Sequence, residues 1–339
     1  MPISRRLSQP SLLAPLVLML ALGGLPFVAQ AFAQPFYVAV VARVLIYAVA
    51  ASALNLALGY GGLVGFGHAL FLGIGAYCVG LSSFHGFDSG LLHLALAVVA
   101  CGVVALITGF VSLRTTGMGF IMITLAFAQM GYFFFISLKQ YGGDDGLNIP
   151  SSSDFGIFRL DSPTSVYFAA YVTLCLLTGW MARLGVAPFG MVLRAARQNA
   201  RRVNAVGLPV LRYQLAAYVI SAMLTGVAGV LLANLNVFAS PSTLAWTVSG
   251  ELIVIVVLGG IGRVFGPVVG ALAFFGLEEL LKLYTEHWMI VFGPVIVLLA
   301  LLGKQGLMGA LQRLDSAVHT NSGRQIYPRD VEPLTPRLP

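Results

Sequence analysis

Charge is what this chain has least of. Only 9% of its 339 residues are Asp, Glu, Lys or Arg, while 58% are apolar. Soluble domains carry roughly 25% charged residues, so a water-soluble globule is excluded. Cysteine is scarce as well. Cys78, Cys101 and Cys175 each sit in an apolar run and read as small packing residues, with no disulfide framework implied. The motifs of catalysis are missing. No GxxxxGK[ST] phosphate loop surrounds Lys139, Lys282 or Lys304, so the chain is not expected to hydrolyse nucleotide. HExxH, paired CxxC and GxSxG are absent, and five scattered His residues make no ligand spacing. Neither an enzyme nor a bound metal or other cofactor is expected. The ionisable residues at membrane depth, Arg43, His68 and Glu251, fall in three different spans, thin material for a proton relay. The net charge of +7 is spread along an apolar chain, which argues against a nucleic-acid partner.

What the chain does have is apolar runs of spanning length. A bilayer helix needs about 20 mostly apolar residues. Windows broken by Gly, Pro or charge place spans near 12–32, 36–58, 63–83, 91–112, 118–138, 165–183, 214–237, 248–262, 264–284 and 288–303. The expected fold is all-α, a polytopic bundle of about ten spans in the lipid bilayer. The window at 248–262 is short, and the pair at 264–303 could be re-entrant, which is tolerated where protein or water satisfies the backbone.

Charge then tests the parity. One set of loops and tails holds Arg5, Arg6, Arg114, Arg183, Arg194, Arg197, Arg201, Arg202, Arg212, Arg263, Lys304, Arg313, Arg324, Arg329 and Arg337. The opposite set holds only Lys139, Arg159 and Lys282. Lys and Arg favour the cytoplasmic side, so both termini are expected there. This divides the chain into a cytoplasmic N-terminus (1–11), a transmembrane domain (12–303) and a cytoplasmic tail (304–339) whose Pro-rich, mixed-charge end reads as disordered. The N-terminus also imitates a signal peptide, with Ala31-Phe32-Ala33 as the cleavage site. Its apolar stretch is longer than usual, and an uncleaved first helix is favoured.

Several segments stand out. Residues 59–77 (GYGGLVGFGHALFLGIGAY) hold seven glycines, suited either to a close helix crossing or to a translocation path that Gly65 and His68 would line. The cytoplasmic loop 184–213 is the one long basic loop between spans. Residues 194–205 read as a short helix, stopped by Gly207 and Pro209. Ala195, Asn199 and Val203 share one of its faces at helical spacing. It suits either anionic headgroups or a docked cytoplasmic partner. Ala222, Gly226, Gly229 and Ala233 form a small-residue stripe, and Asn234 at its end could bond across helices or line a vestibule. Glu251 is either a helix cap or a path residue. The outer loop 139–164 carries Gly143, Asp144 and Asp145, turn chemistry that could also meet an extracytoplasmic protein.

Taken together, NLALGYGGLVGFGHALFLGIGAY, TLAFAQ (124–129), YGGDDGLNIP (141–150), PFGMVLRAARQNARRVNAVGLP, YQLAAYVISAMLTGVAGVLLA and SGELIVIVVLGGIGRVFGP resemble the permease subunits of branched-chain amino acid ABC importers, the LivH/LivM family. The likeness runs from about residue 40 to 303 and is strongest to the LivM branch. It implies an ATP-driven importer of branched-chain or related amino acids in a bacterial inner membrane. Its partners would be a second, related permease, two cytoplasmic ATPase subunits and a periplasmic solute-binding protein. Arg194, Ala195, Ala196, Arg197, Asn199, Gly207 and Leu208 fall on the family's ATPase-coupling loop. Departures accompany the likeness: Gln198 and Ala200 replace frequent acidic residues, Gly65 a common Ser, and Arg263 a small residue. Urea or short-amide permeases share the architecture, and an ion-coupled secondary transporter is the rival class.

Overall fold

The computed structural model describes residues 17–19, 21–26, 35–156, 158–284, 287–302 and 306–309. The expected N-terminus, the cleavage site and nearly all of the tail lie outside the described residues. From residue 35 the chain folds into helices α1 (Pro35–Asn55), α2 (His68–Phe84), α3 (Gly90–Ser112), α4 (Met118–Ser137), α5 (Pro163–Val186), α6 (Pro188–Ala205), α7 (Val210–Asn236), α8 (Trp246–Gly259), α9 (Gly266–Tyr284) and α10 (Trp288–Leu302). Leu56–Tyr60 extends α1 as a π-helical turn.

Each apolar window from 36–58 onward contains a helix, and α6 is the polar exception. Among the described residues, five helices are long and apolar enough to cross a membrane: Tyr37–Tyr60, α3, α4, α5 and α7. At 17 and 14 residues, α2 and α8 are shorter. Residues 264–303, the pair that could be re-entrant, hold two helices, α9 and α10, with Pro294 inside the second.

The centre of the bundle is α1 and α7. Helix α1 packs against α5, α7, α8 and α9, while α7 packs against α2 and α3. Two apolar cores result, one around α1, α5, α8 and α9, the other around α2, α3 and α4, with α7 contributing to both. The small-residue stripe is the reason α2 and α7 touch so closely. A Cβ on Gly75 would lie 2.1 Å from the Gly226 carbonyl oxygen, and one on Gly229 would lie 2.0 Å from that of Leu72. Backbone meets backbone there, as small residues permit between membrane helices.

At the end of the bundle away from α6, two short strands close the connections. β1 (Leu147–Asn148) pairs antiparallel with β2 (Phe238–Ala239), Leu147 opposite Ala239. This ties the long 139–162 connection to the end of α7.

Candidate functional site

Helix α6 is built differently from its neighbours. Pro188 opens it at a position where the missing N–H is no loss. Gly190, Leu193 and Ala196 are its buried residues, three apart on one face. The arginines occupy the rest. At Asn199 the backbone leaves helical geometry (φ −157°, ψ 93°) and turns extended. Its side-chain Oδ1 accepts from the Arg202 N–H at 3.1 Å, so Asn199 caps a second helical segment. The face expected to join Ala195, Asn199 and Val203 is therefore broken at its middle residue, and Ala196 is the alanine that packs inward. The helix also begins earlier than the expected 194–205. Its end matches expectation. Gly207 adopts φ +89°, a left-handed conformation natural to glycine. Asn204 Oδ1 accepts from the Val210 N–H at 3.2 Å and closes the turn around the half-buried Leu208.

Two arginines seat the first half of α6 on the bundle. The Arg197 guanidinium donates to the carbonyl of Gly59, in the π-helical turn that ends α1. Arg194 donates to the Gly185 carbonyl, and its guanidinium lies 5.9 Å from the Tyr60 ring centroid. Next to that contact, Asn55 clamps α1 to the turn between α8 and α9. Its Nδ2 donates to the Arg263 carbonyl at 2.9 Å, and its Oδ1 accepts from the Gly262 N–H at 2.9 Å. Arg263 in turn donates to the Met308 carbonyl at 2.7 Å, a use for a long side chain where a small one was expected. Beyond Asn199 the surface is open: Ala200, Arg201, Arg202, Ala205, Val206 and Gly207 are exposed.

The candidate path residues separate. Gly65 is buried, and a Cβ there would meet the Phe120 ring at 2.9 Å. His68 is buried with its Nε2 2.9 Å from Ser221 Oγ, whose hydroxyl donates to the Ala53 carbonyl at 2.6 Å. The serine proton is thus committed to Ala53, so Nε2 carries the histidine proton, and Nδ1 has no partner among the described residues. Asn234 is buried too: its Oδ1 accepts from the Ser153 N–H at 2.9 Å, and its Nδ2 donates to Val230. Both polar groups bond across or along helices. Glu251 sits in the second turn of α8, past the first-turn N–H groups that a cap would serve, and is half-buried. Cys101 fills space against α7, its Sγ 3.4 Å from the Phe71 carbonyl. Among the described residues no group of three His, Cys, Asp or Glu could hold a metal ion.

In the 139–162 connection Gly143 is buried and Asp144 and Asp145 are exposed. The segment is firmly held. Ser153 is pinned by Asn234 and faces His93 Nδ1 at 2.7 Å, while Ser151 donates to Asp88. Asp154 is paired to Arg159 at 2.7 Å. The Gly156 N–H, and next the Arg159 side chain, hold the Asp154 carboxyl below its ordinary value.

A family described as branched-chain amino acid transport system / permease component matches residues 36–300. The chain belongs to this permease family. Among curated proteins, the high-affinity branched-chain amino acid transport system permease protein LivM of Salmonella typhimurium is 28% identical over 82% of this chain and 72% of its own length. The probable LivM permease of Methanocaldococcus jannaschii is 24% identical over 73% of this chain and 82% of its own. The LivH permease of Escherichia coli is 24% identical over 78% and 91%. No solved structure matches. The permease is thus a multi-pass membrane protein and a permease subunit of an ABC transporter. Two of its features escaped the sequence. Asn55 gave no signal beyond being a polar residue at a span end, and Arg43, noted only as an intramembrane charge, turns out to stack on Tyr47 and Phe275.

Proposed function

We propose that this permease is one membrane half of an ATP-driven importer that moves branched-chain amino acids, delivered by a periplasmic binding protein, across a bacterial inner membrane. In this reading the chain makes ten spans with both termini in the cytoplasm and pairs with a second, related permease. Two cytoplasmic ATPase subunits complete the assembly, and α6 is this chain's docking helix for them. The observation that carries the reading is the division of α6: its first half is fixed to the bundle by Arg194 and Arg197, and its second half presents Arg201, Arg202 and Val206 outward. A surface of that kind suits a carboxylate-bearing partner. The exposed Asp144 and Asp145 stand where a delivered binding protein would meet the opposite face. The permease contributes two arrangements of its helices with different access, and ligand and partner bias the equilibrium between them.

The decisive experiment compares Arg197→Glu and Gly207→Pro with the unaltered chain. Both variants should insert at normal levels. Arg197→Glu loses a charge-assisted bond, and Gly207→Pro cannot adopt φ +89°. Each is expected to lower amino-acid uptake by about tenfold or more, with weaker co-purification of the ATPase. Unchanged uptake and unchanged co-purification in both would remove α6 from the coupling role. Uphill transport by the purified chain alone, driven by an ion gradient, would replace the reading with a secondary transporter.

A further inference from the structure

Away from α6, the other end of the bundle holds a group of charges that the coupling role does not use. Helices α1, α8 and α9 pack on one another and bring Arg43, Glu251 and Glu278 together. Counting from the shared end, Arg43 is the ninth residue of α1, Glu251 the sixth of α8, and Glu278 the seventh from the end of α9. At about 1.5 Å per residue all three lie roughly 8–12 Å below that end.

Glu278 is accounted for. It is buried and accepts from Lys282 Nζ at 2.7 Å. Arg43 and Glu251 are not paired in this way. Arg43 is exposed on the bundle surface, and among the described residues no carboxylate stands within ion-pair distance of it. Glu251 is half-buried and lacks a cation at that distance among the same residues, and its helix packs directly on α1. An exposed arginine at this depth cannot face hydrocarbon without a large cost. Long side chains near helix ends usually escape by reaching back to the interface. Arg43 does the reverse. Its guanidinium lies 5.7 Å from the ring centroid of Tyr47, one turn deeper in α1, and 5.5 Å from that of Phe275 in α9. Those two rings meet edge to face at 5.0 Å and hold the guanidinium at depth.

The surface therefore carries a cation held by two aromatic rings and, on the neighbouring α8, a half-buried carboxylate outside ion-pair distance of any cation among the described residues. That is the complement of a small zwitterion. We propose that Arg43 and Glu251 form a receiving site for the charged head of a free amino acid. The planar guanidinium takes the α-carboxylate through paired N–H bonds, and Glu251 takes the α-ammonium. The site lies at the end of the bundle opposite α6, where solute from outside would enter. This inference rests on the amino-acid importer reading above.

The test uses the assembled transporter, purified without its binding protein, and three probes: leucine, leucinamide (no carboxylate) and 4-methylpentanoate (no ammonium). The unaltered complex should bind leucine better than either analogue. R43Q should lower leucine binding by about tenfold while leaving leucinamide unchanged, and R43K should restore part of the loss. E251Q should erase the preference for leucine over 4-methylpentanoate. A merely structural role would lower all three probes together, and that result overturns the site. So does leucine binding that is unaltered in both R43Q and E251Q, or absent from the unaltered complex. Leucine uptake by the complete transporter with its binding protein is measured alongside. If that uptake is intact while the site fails, the importer reading survives; if it is absent, both fall.

Discussion

Single polar residues do most of the fastening in a bundle that has few of them. Ser221 joins three helices, since its hydroxyl donates to Ala53 of α1 and accepts from His68 of α2. Ser221→Ala deletes both bonds and strands a buried N–H and a buried carbonyl. We expect a loss of about 1–3 kcal/mol, read as a lower midpoint of thermal unfolding in detergent. Asp154 gives a pH dependence in the opposite loop. Its carboxyl is held below the ordinary value, first by the Gly156 N–H and then by Arg159. A depressed carboxyl contributes stability above its unfolded pKa of about 3.9, and that contribution is lost as pH falls through the lower folded value. The protection of the Gly156 amide, its exchange rate relative to the intrinsic rate at each pH, should therefore fall on acidification below about pH 4, and Asp154→Asn should weaken the dependence. Some of this was legible in the sequence and some was not. From the sequence, His68 stands open between a close helix crossing and a path, and Asn234 between a bond across helices and a vestibule. What the sequence does not supply is the partner: Ser221 is 153 residues from His68 and Ser153 is 81 from Asn234, and bonds of that range leave no local mark.

At the scale of whole helices, the readable part was periodicity and punctuation. Apolar runs placed the spans, and Gly207 with Pro209 placed the end of α6, because each acts on the backbone where it stands. The break at Asn199 was invisible: asparagine fits either a helix interior or a cap, and only the fold selects the cap. The stripe Ala222, Gly226, Gly229, Ala233 was legible as a packing face, while its partner, the glycine-rich α2, emerged only when the helices came together. The crossing predicts a contrast. Gly75→Val drives side-chain atoms into the Gly226 carbonyl and should destabilise the bundle by about 1–3 kcal/mol. Gly276→Ala in α9 meets nothing within 4 Å and should leave the yield of folded protein unchanged. Size-exclusion profiles of both variants in detergent check the pair.

For the molecule as a whole, the uneven placement of arginine sets a direction. Reporters inserted after Ser153 and after Asn199 should lie on opposite sides of the membrane, with the Asn199 reporter in the cytoplasm. A common side for both would break the alternation of spans between them. The clamp at Asn55 gives that direction mechanical content. Gly59 receives Arg197 while Asn55 grips the 262–263 backbone, so α6 is connected through the end of α1 to the turn between α8 and α9. Those three rods are braced together at their base, and they are the same three that bear Arg43, Glu251 and Glu278 near their tips. Under the proposed importer reading, tilting such a tripod would swing its far charges as a unit, and a blow landed in the cytoplasm would be felt where cargo arrives from outside.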